Sequence, residues 1–109
     1  MYEYSARILS VHDGDTCTAL VDLGFRISQE MPLRLNGINA PELSQPGGKE
    51  ARDYLRSIID GKQVVIFTVK DRKEKYGRYL ADIVVGVELV SVMMCSAGHA
   101  KPYDGTGPR

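Results

Sequence analysis

The stretch YSARILSVHDGDTCTALVDL, residues 4–23, contains two runs rich in Val, Ile, Leu, Thr and Tyr, separated by an Asp-Gly pair. Such residues favour extended strands, and Asp-Gly is a typical connection between antiparallel strands. The runs from Tyr4 to Val11 and from Thr16 to Leu23 are therefore predicted to form a hairpin that turns at Asp13-Gly14. This hairpin begins a mainly β fold.

The next segment, from Arg26 to Ile38, is predicted to be a third strand with an interruption near Pro32. Proline cannot donate a hydrogen bond within a sheet, so an edge position or a bulge is expected there. The residues from Asn39 to Gly48 include many turn formers and predict an irregular loop. An amphipathic helix follows and is expected to end at a left-handed Gly61. Its predicted buried face consists of Ala51, Leu55, Ile58 and Ile59.

Two further apolar runs, from Gln63 to Val69 and from Arg78 to Val85, predict a second hairpin. Its loop is the basic stretch from Lys70 to Gly77. A short, largely buried helix is predicted from Glu88 to Ala97, with Gly98 as its stop. The apolar face predicted for this helix consists of Leu89, Val92, Met93 and Ser96, widened by Val90, Met94 and Ala97.

The order of elements is three strands, a helix, two strands and a second helix. This order fits a mainly β (α+β) fold, namely a five-stranded Greek-key barrel with a helix between strands 3 and 4 and a short helix after strand 5. With 109 residues the chain has room for a single domain, 1–109. The Gly- and Pro-rich residues 102–109 are expected to form a flexible tail.

The composition, with 43% hydrophobic and 26% charged residues, is typical of a globular protein, and a monomer is the default expectation. No signal peptide or membrane span is visible, so we expect a cytoplasmic location, or secretion if a leader was removed. Cys17 and Cys95 lack the spacing of a zinc site and are expected to be buried and reduced. The net charge of zero argues against long-range attraction to a polyanion, although residues 70–78 form a locally basic segment.

Three short segments carry the functional groups, and each has an ordinary alternative. In Asp13-Gly14-Asp15-Thr16, Asp15 either solvates a turn or offers a carboxylate to Ca²⁺ or Mg²⁺. Arg34 either reaches water from an edge strand or binds a phosphate with two donors. Glu42 is either an ordinary acidic residue ahead of a helix or a carboxylate facing that phosphate.

The third segment, Lys75-Tyr76-Gly77-Arg78, is either a polar hairpin loop or part of the same site. In the functional interpretation Arg78 supplies a second guanidinium, and Lys75 and Tyr76 hold a neighbouring phosphate or base. His12 and His99 are given no catalytic role, since an isolated His is more often structural or exposed.

In order and separation, the three segments resemble the staphylococcal nuclease (thermonuclease) family, from about Tyr4 to Lys101. The likeness rests on the segments DGDT at 13–16, Arg34-Leu35 through Ala40-Pro41-Glu42, and KYGR at 75–78. It implies an SNase-like OB-fold barrel that hydrolyses DNA and RNA with Ca²⁺ and leaves 3′-phosphate ends. It also implies a set of roles: Asp15, Asn39 and Ala40 as metal ligands, Arg34 and Arg78 on the phosphate, Glu42 as general base, and Lys75 and Tyr76 as nucleotide contacts.

The chain departs from the family pattern at Asn39, where active members carry a second metal-binding Asp, and at Ala40, where a Thr is often found. An amide oxygen still ligates Ca²⁺, but the site loses one negative charge. We therefore expect weakened Ca²⁺ binding, with Mg²⁺ or another divalent ion as an alternative. The loop after Glu42 is also short, and the chain ends where members commonly continue into another helix, which predicts modest stability.

The sequence thus favours a metal-dependent phosphodiesterase that hydrolyses DNA, RNA or both by in-line water attack. Single-stranded or breathing substrates are expected, because an OB surface favours them. The main alternative is a non-catalytic module of the same fold that binds nucleic acid or protein, which Asn39 and the neutral charge favour. A barrel that only mediates protein contacts is a third interpretation, and it leaves the two arginines unexplained.

Overall fold

The computed structural model describes residues 2–73 and 77–103, and the side chains of residues 70–73 are not described. The five long strands and two helices follow the predicted order, and three two-residue strands, β4, β7 and β8, are additional. In chain order they are β1 (Tyr2–Asp13), β2 (Thr16–Gly24), β3 (Ile27–Leu35), β4 (Ile38–Asn39), α1 (Gly48–Ile59), β5 (Gln63–Lys73), β6 (Tyr79–Val85), β7 (Glu88–Leu89), α2 (Val90–Ser96) and β8 (Lys101–Pro102).

Five of the strands close into a barrel. Strand β1 lies between β2 and β5, β3 pairs with β2, and β6 pairs with β5, all antiparallel. A parallel pairing of β3 with β6, in which Arg34 lies opposite Leu80, closes the ring. The predicted α+β fold with a five-stranded barrel is confirmed, including the helix between the third and fourth barrel strands and the short helix after the fifth.

The core fills this barrel and extends beneath α1. Alternate residues of β1, β2 and β6 point inward, and α1 adds the fully buried Ala51, Leu55 and Ile59. Three of the four residues predicted for its apolar face are therefore buried, and Ile58 is half-buried. Gly61 has a φ of 71° just after the helix, as expected for a glycine at a helix stop. No helix in the described residues is both long and apolar enough to cross a membrane.

The third strand differs from its prediction. It ends at Leu35 rather than Ile38, and Ile38 begins the short strand β4 after a turn at Gly37, which has a φ of 80°. The expected edge position of Pro32 is correct, because β3 pairs with β6 only from Leu33 onward. The alternative of a bulge there is wrong, since the β2–β3 register is regular at Pro32 and shifts only near the hairpin turn.

The second helix is shorter than predicted and buries a different face. Glu88–Leu89 pairs with β6 as strand β7, and α2 begins only at Val90. The buried residues of α2 are Val90, Ser91 and Met94. Val92 is 57% exposed, and with Met93 it lines an open groove of about 620 Å³ beside Tyr54. Val90 and Met94, which widened the predicted face, are buried as expected, whereas Met93 is only half-buried and the predicted burial of Val92, Ser96 and Ala97 is wrong.

The structure also differs in part from three smaller predictions, which concern the basic loop, the cysteines and the tail. Strand β5 continues to Lys73, so part of the predicted basic loop is strand. Cys17 is buried as expected, whereas Cys95 is only partly buried. The predicted tail is wrong for its first two residues, because Pro102 pairs with Ile38 and the Tyr103 N–H donates to the Gly37 carbonyl at 2.8 Å. Residues 104–109 lie outside the described part of the chain.

Candidate active site

The β1–β2 turn is organised by Asp13. Its Oδ1 accepts hydrogen bonds from the Asp15 N–H at 3.1 Å and from the Thr16 hydroxyl at 2.7 Å. A Cβ atom at Gly14 would lie 2.7 Å from the Ala51 Cβ and 2.8 Å from the Ala40 Cβ. The turn therefore needs glycine for space, because the first turn of α1 and the segment after β4 both pack against it.

Asp15 and Arg34 form a buried ion pair between neighbouring strands. Thr16 lies opposite Arg34 in the β2–β3 register, which places the preceding Asp15 beside that arginine. Arg34 Nη1 lies 2.8 Å from Asp15 Oδ1, and the two residues are only 5% and 3% exposed. The ordinary interpretations of a solvated Asp15 and a water-exposed Arg34 are therefore wrong.

Asn39 and Ala40 join this pair from the far side of the turn at Gly37. Arg34 Nη2 donates to the Asn39 side-chain oxygen at 3.1 Å, and the buried Ala40 N–H donates to Asp15 Oδ2 at 2.9 Å. The structure thus brings together four of the residues singled out in the sequence: Asp15, Arg34, Asn39 and Ala40.

The Arg34 guanidinium is not fully used by these contacts. Its Nε is buried and has no hydrogen-bond partner among residues 2–73 and 77–103. A buried donor without a partner costs free energy, and such groups are rare in folded proteins. The contacts among the described residues thus leave one guanidinium donor of Arg34 unsatisfied.

Burial raises the pKa of Asp15 to about 6 from 3.8, and a hydrogen bond that the protonated Asp15 carboxyl donates to Asp13 adds to this rise. The Ala40 N–H and the Arg34 charge oppose the rise without cancelling it. The pKa of Asp13 is lowered instead: its own burial opposes the change, but hydrogen bonds with Asp15 and Thr16 outweigh that burial. The two carboxyl groups therefore differ in charge near pH 5, with Asp13 ionised and Asp15 largely protonated.

The oxygen donors at this turn suit a hard divalent cation. Each carboxylate or amide oxygen has two lone pairs, so Asp15 and Asn39 keep acceptor capacity beyond their contacts with Arg34 and Ala40. The raised pKa of Asp15 indicates that Arg34 alone does not balance its charge, and a cation would complete that balance. Within the described residues, however, no three His, Cys, Asp or Glu side chains come together. The residues fit a cation, in a site of low acidic charge.

Glu42 lies on the loop before α1, two residues after Ala40, and its side chain is exposed. Its backbone is fixed by Gln45, whose side-chain oxygen accepts from the Glu42 N–H at 2.9 Å. Glu42 thus combines an exposed carboxylate with an anchored backbone.

Arg78 is half-buried and directly precedes β6. The next residue, Tyr79, lies opposite Leu33, so the barrel closure brings the Arg78 backbone to the strand that carries Arg34. Lys75 and Tyr76 lie outside the described residues. The histidines have other contacts: His12 Nε2 lies 2.7 Å from the Thr18 hydroxyl, and the His99 ring packs on Tyr54 with centroids 4.8 Å apart.

The sequence interpretation missed two residues of this region, Gln45 and Gly48. A Cβ at Gly48 would lie 1.9 Å from the Glu42 carbonyl oxygen, so glycine is required there by close approach. A Gln three positions after Glu42 has the spacing of a capping-box residue, and that spacing was the available signal for Gln45. The contact at Gly48 had no local signal, because it depends on how the loop folds back.

These features define an OB-fold α+β domain with a buried carboxylate–guanidinium pair at one end of its barrel. The family model described as staphylococcal nuclease homologue matches residues 32–108, which include Arg34, Asn39, Ala40, Glu42 and Arg78. The chain belongs to the staphylococcal nuclease family.

Individual relatives agree with this assignment. The chain is 37% identical over 81 residues to a "probable staphylococcal-like nuclease" of Oryza sativa subsp. japonica, covering 72% of this chain and 22% of that protein. It is 34% identical over 79 residues to a staphylococcal-like nuclease of Arabidopsis thaliana, covering 71% and 23%. It is 30% identical over 105 residues to the thermonuclease of Staphylococcus hyicus, covering 91% and 59%. The chain thus spans about a quarter of the plant proteins and just over half of the staphylococcal one.

Proposed function

We propose that this chain is a metal-dependent nuclease that hydrolyses phosphodiester bonds in DNA, RNA or both. The observation that carries the proposal is the buried Arg34. Two of its nitrogens hold Asp15 and Asn39, while its buried Nε has no partner among the described residues. A buried ion pair alone contributes little to stability. We therefore attribute this pair, in which the Arg34 Nε lacks a hydrogen-bond partner among the described residues, to the binding of a ligand.

Asp15 and Asn39 are the residues that would hold a divalent cation, with the Ala40 carbonyl as a further ligand. When bound, such a cation supplies positive charge that neutralises the phosphate and lowers the barrier to attack. Calcium is the first candidate, because the ligands are oxygen atoms and the family resemblance implies it. Mg²⁺ or another divalent ion is the alternative.

Arg34 and Arg78 bind the phosphate in this proposal. Planar guanidinium groups form two-pronged contacts with phosphate oxygens and stabilise the charge that these oxygens gain in the transition state. Because the Nε of Arg34 is buried, a phosphate oxygen would reach it only after neighbouring groups move. Loss of a single oriented donor of this kind costs about 3 to 4 kcal/mol of transition-state stabilisation in other enzymes.

Glu42 orients a water molecule, or takes its proton, for in-line attack on phosphorus. The bond from phosphorus to the 5′-oxygen then breaks, and the phosphate stays on the 3′ side. Lys75 and Tyr76 would hold an adjacent nucleotide. Single-stranded or breathing nucleic acid is the proposed substrate, because an OB barrel presents an open face to unpaired bases.

The test is digestion of heat-denatured DNA and of single-stranded RNA by the purified chain, with Ca²⁺, with Mg²⁺ and with a chelator. We expect cleavage that depends on a divalent cation, with 3′-phosphate and 5′-hydroxyl ends. Binding of either nucleic acid without cleavage in any metal would support the non-catalytic module instead. That module is the alternative favoured by Asn39, which leaves the site one carboxylate short.

A further inference from the structure

The loop that carries Glu42 is closed by a reciprocal pair of hydrogen bonds with Gln45. The Glu42 N–H donates to Gln45 Oε1 at 2.9 Å, and the Gln45 N–H donates to the Glu42 carbonyl at 2.9 Å. The peptide groups on both sides of Glu42 are thus tied to one residue. A Gln or Glu side chain that reaches back three positions to a backbone N–H fixes the start of many helices in the same way.

The same loop is seated directly on α1. The Gly48 N–H donates to the Gln45 carbonyl at 3.0 Å, and a Cβ at Gly48 would lie 1.9 Å from the Glu42 carbonyl oxygen. The loop therefore packs against the first residue of a 12-residue helix whose inner face is fully buried. That helix gives the Glu42 backbone a rigid support.

Glu42 is also anchored on its other side. Two residues earlier, the Ala40 N–H donates to Asp15 Oδ2 at 2.9 Å, and Pro41 between them has a restricted φ. The Glu42 backbone is thus held between the buried ion pair and the Gln45 contact. Its side chain, in contrast, is exposed to solvent.

We infer that Gln45 is a positioning residue, whose side-chain carbonyl holds Glu42 where it can act on water at the phosphate. The inference rests on the proposed nuclease function. Gln45 itself acts through the backbone of Glu42 and takes no part in the bond changes. A base must lie within hydrogen-bond reach of its water, and a misplacement of about 1 Å can reduce the rate about 100-fold.

The test compares Gln45→Ala, which removes the acceptor, with Gln45→Glu, which keeps a carboxylate oxygen at the same reach. Gln29→Ala, an exposed position on β3, is the matched control. The readouts are kcat and KM on single-stranded DNA with Ca²⁺, affinity for a nucleoside 3′,5′-bisphosphate, and the thermal unfolding midpoint. We expect Gln45→Ala to lower kcat roughly 10- to 100-fold, with KM and bisphosphate affinity changed by less than about twofold. We expect Gln45→Glu to recover most of the lost kcat and the control to match wild type.

The inference is overturned if Gln45→Ala keeps full kcat, if Gln45→Glu is as impaired as Gln45→Ala, or if the loss appears in KM and bisphosphate affinity instead. A fall in the unfolding midpoint that parallels the loss of kcat would also overturn it, since the role would then be structural. A wild type that cleaves nothing overturns the proposed function together with any catalytic role of Gln45. A cleaving wild type with an unimpaired Gln45→Ala overturns the inference alone.

Discussion

At the scale of single residues, the main feature is the buried ion pair of Asp15 and Arg34. Burying these two charges costs more desolvation free energy than an ion pair on the surface would. Removing Asp15 and Arg34 from water carries a desolvation penalty that their attraction only partly repays, as the raised pKa of Asp15 indicates. The neutral Asn39 adds an oxygen without a charge. In the proposed function, the oxygens of Asp15 and Asn39 would hold a cation and the guanidinium of Arg34 a phosphate.

The raised pKa of Asp15 predicts how cation binding depends on pH. The carboxylate must be ionised to hold a cation, and with a pKa of about 6 it is largely protonated at pH 5. Between pH 7.5 and pH 5 the ionised fraction falls about tenfold, so the Ca²⁺ concentration for half-maximal thermal stabilisation should rise about tenfold. Without cation, the folded state binds this proton more tightly than the unfolded state, so the Asp15 contribution to stability falls as pH rises from about 4 to about 6.

Thermal unfolding at a series of Ca²⁺ concentrations measures this shift. Asp15→Asn should abolish the stabilisation by Ca²⁺, whereas Asp60→Asn, at the exposed end of α1, should leave it intact. Equal stabilisation of wild type and Asp15→Asn would remove Asp15 from the cation site.

A second prediction concerns Asn39. Asn39→Asp places a carboxylate beside Arg34 Nη2, at an oxygen that already lies 3.1 Å away, and restores one negative charge to the cation site. Ca²⁺ binds more tightly as the number of charged ligands rises. The Ca²⁺ concentration needed for half-maximal DNA cleavage at pH 8 should therefore decrease. An unchanged or higher requirement would contradict the charge argument.

The sequence singled out the candidate residues because they occur within short motifs, and four of them, Asp15, Arg34, Asn39 and Ala40, are in contact in the structure. The sequence could not show that Asp15 and Arg34 are buried against one another, since that depends on the pairing of Thr16 with Arg34 across β2 and β3. The predicted turn at Asp13-Gly14 is present, but the sequence could not show that Gly14 is also required by the close approach of Ala51 and Ala40. Both depend on contacts between distant parts of the chain.

At the scale of elements, local pattern predicted the long elements well and the short ones poorly. The 12 residues of α1 show a clear apolar face, and Ala51, Leu55 and Ile59 on that face are buried. The 7 residues of α2 are apolar almost all round, so periodicity alone could not select the face that meets the barrel. The pairing of β7 with β6 determines which face of α2 is buried, because it fixes the direction in which the chain enters the helix at Val90.

This assignment of the α2 face is open to a direct stability test. Met94 is fully buried, so Met94→Ala should lower the free energy of unfolding by about 2 to 4 kcal/mol through a cavity in the core. Val92 lies on the other face and is 57% exposed, so Val92→Ala should change it by less than about 0.5 kcal/mol. Chemical denaturation of both variants provides the comparison. A larger loss in Val92→Ala than in Met94→Ala would restore the face predicted from periodicity.

At the scale of the whole molecule, closure of the barrel assembles the site from segments far apart in the chain. The parallel pairing of β3 with β6 aligns Arg34 with Leu80 and so brings the Arg78 segment to the strand of the ion pair. The order of strands and helices predicted this barrel, but the register that closes it was not encoded in any local pattern.

The most direct measurement of the central claim is the rate of cleavage of a single-stranded DNA oligonucleotide, with Ca²⁺ or with chelator, by wild type, Glu42→Gln and Glu30→Gln. Glu30 is an exposed carboxylate on β3 and serves as the matched control. The account predicts cation-dependent cleavage by wild type and Glu30→Gln, and a rate at least about 100-fold lower for Glu42→Gln with unchanged binding of the oligonucleotide. Cleavage that is equally fast in chelator, or equally fast in Glu42→Gln, would contradict it.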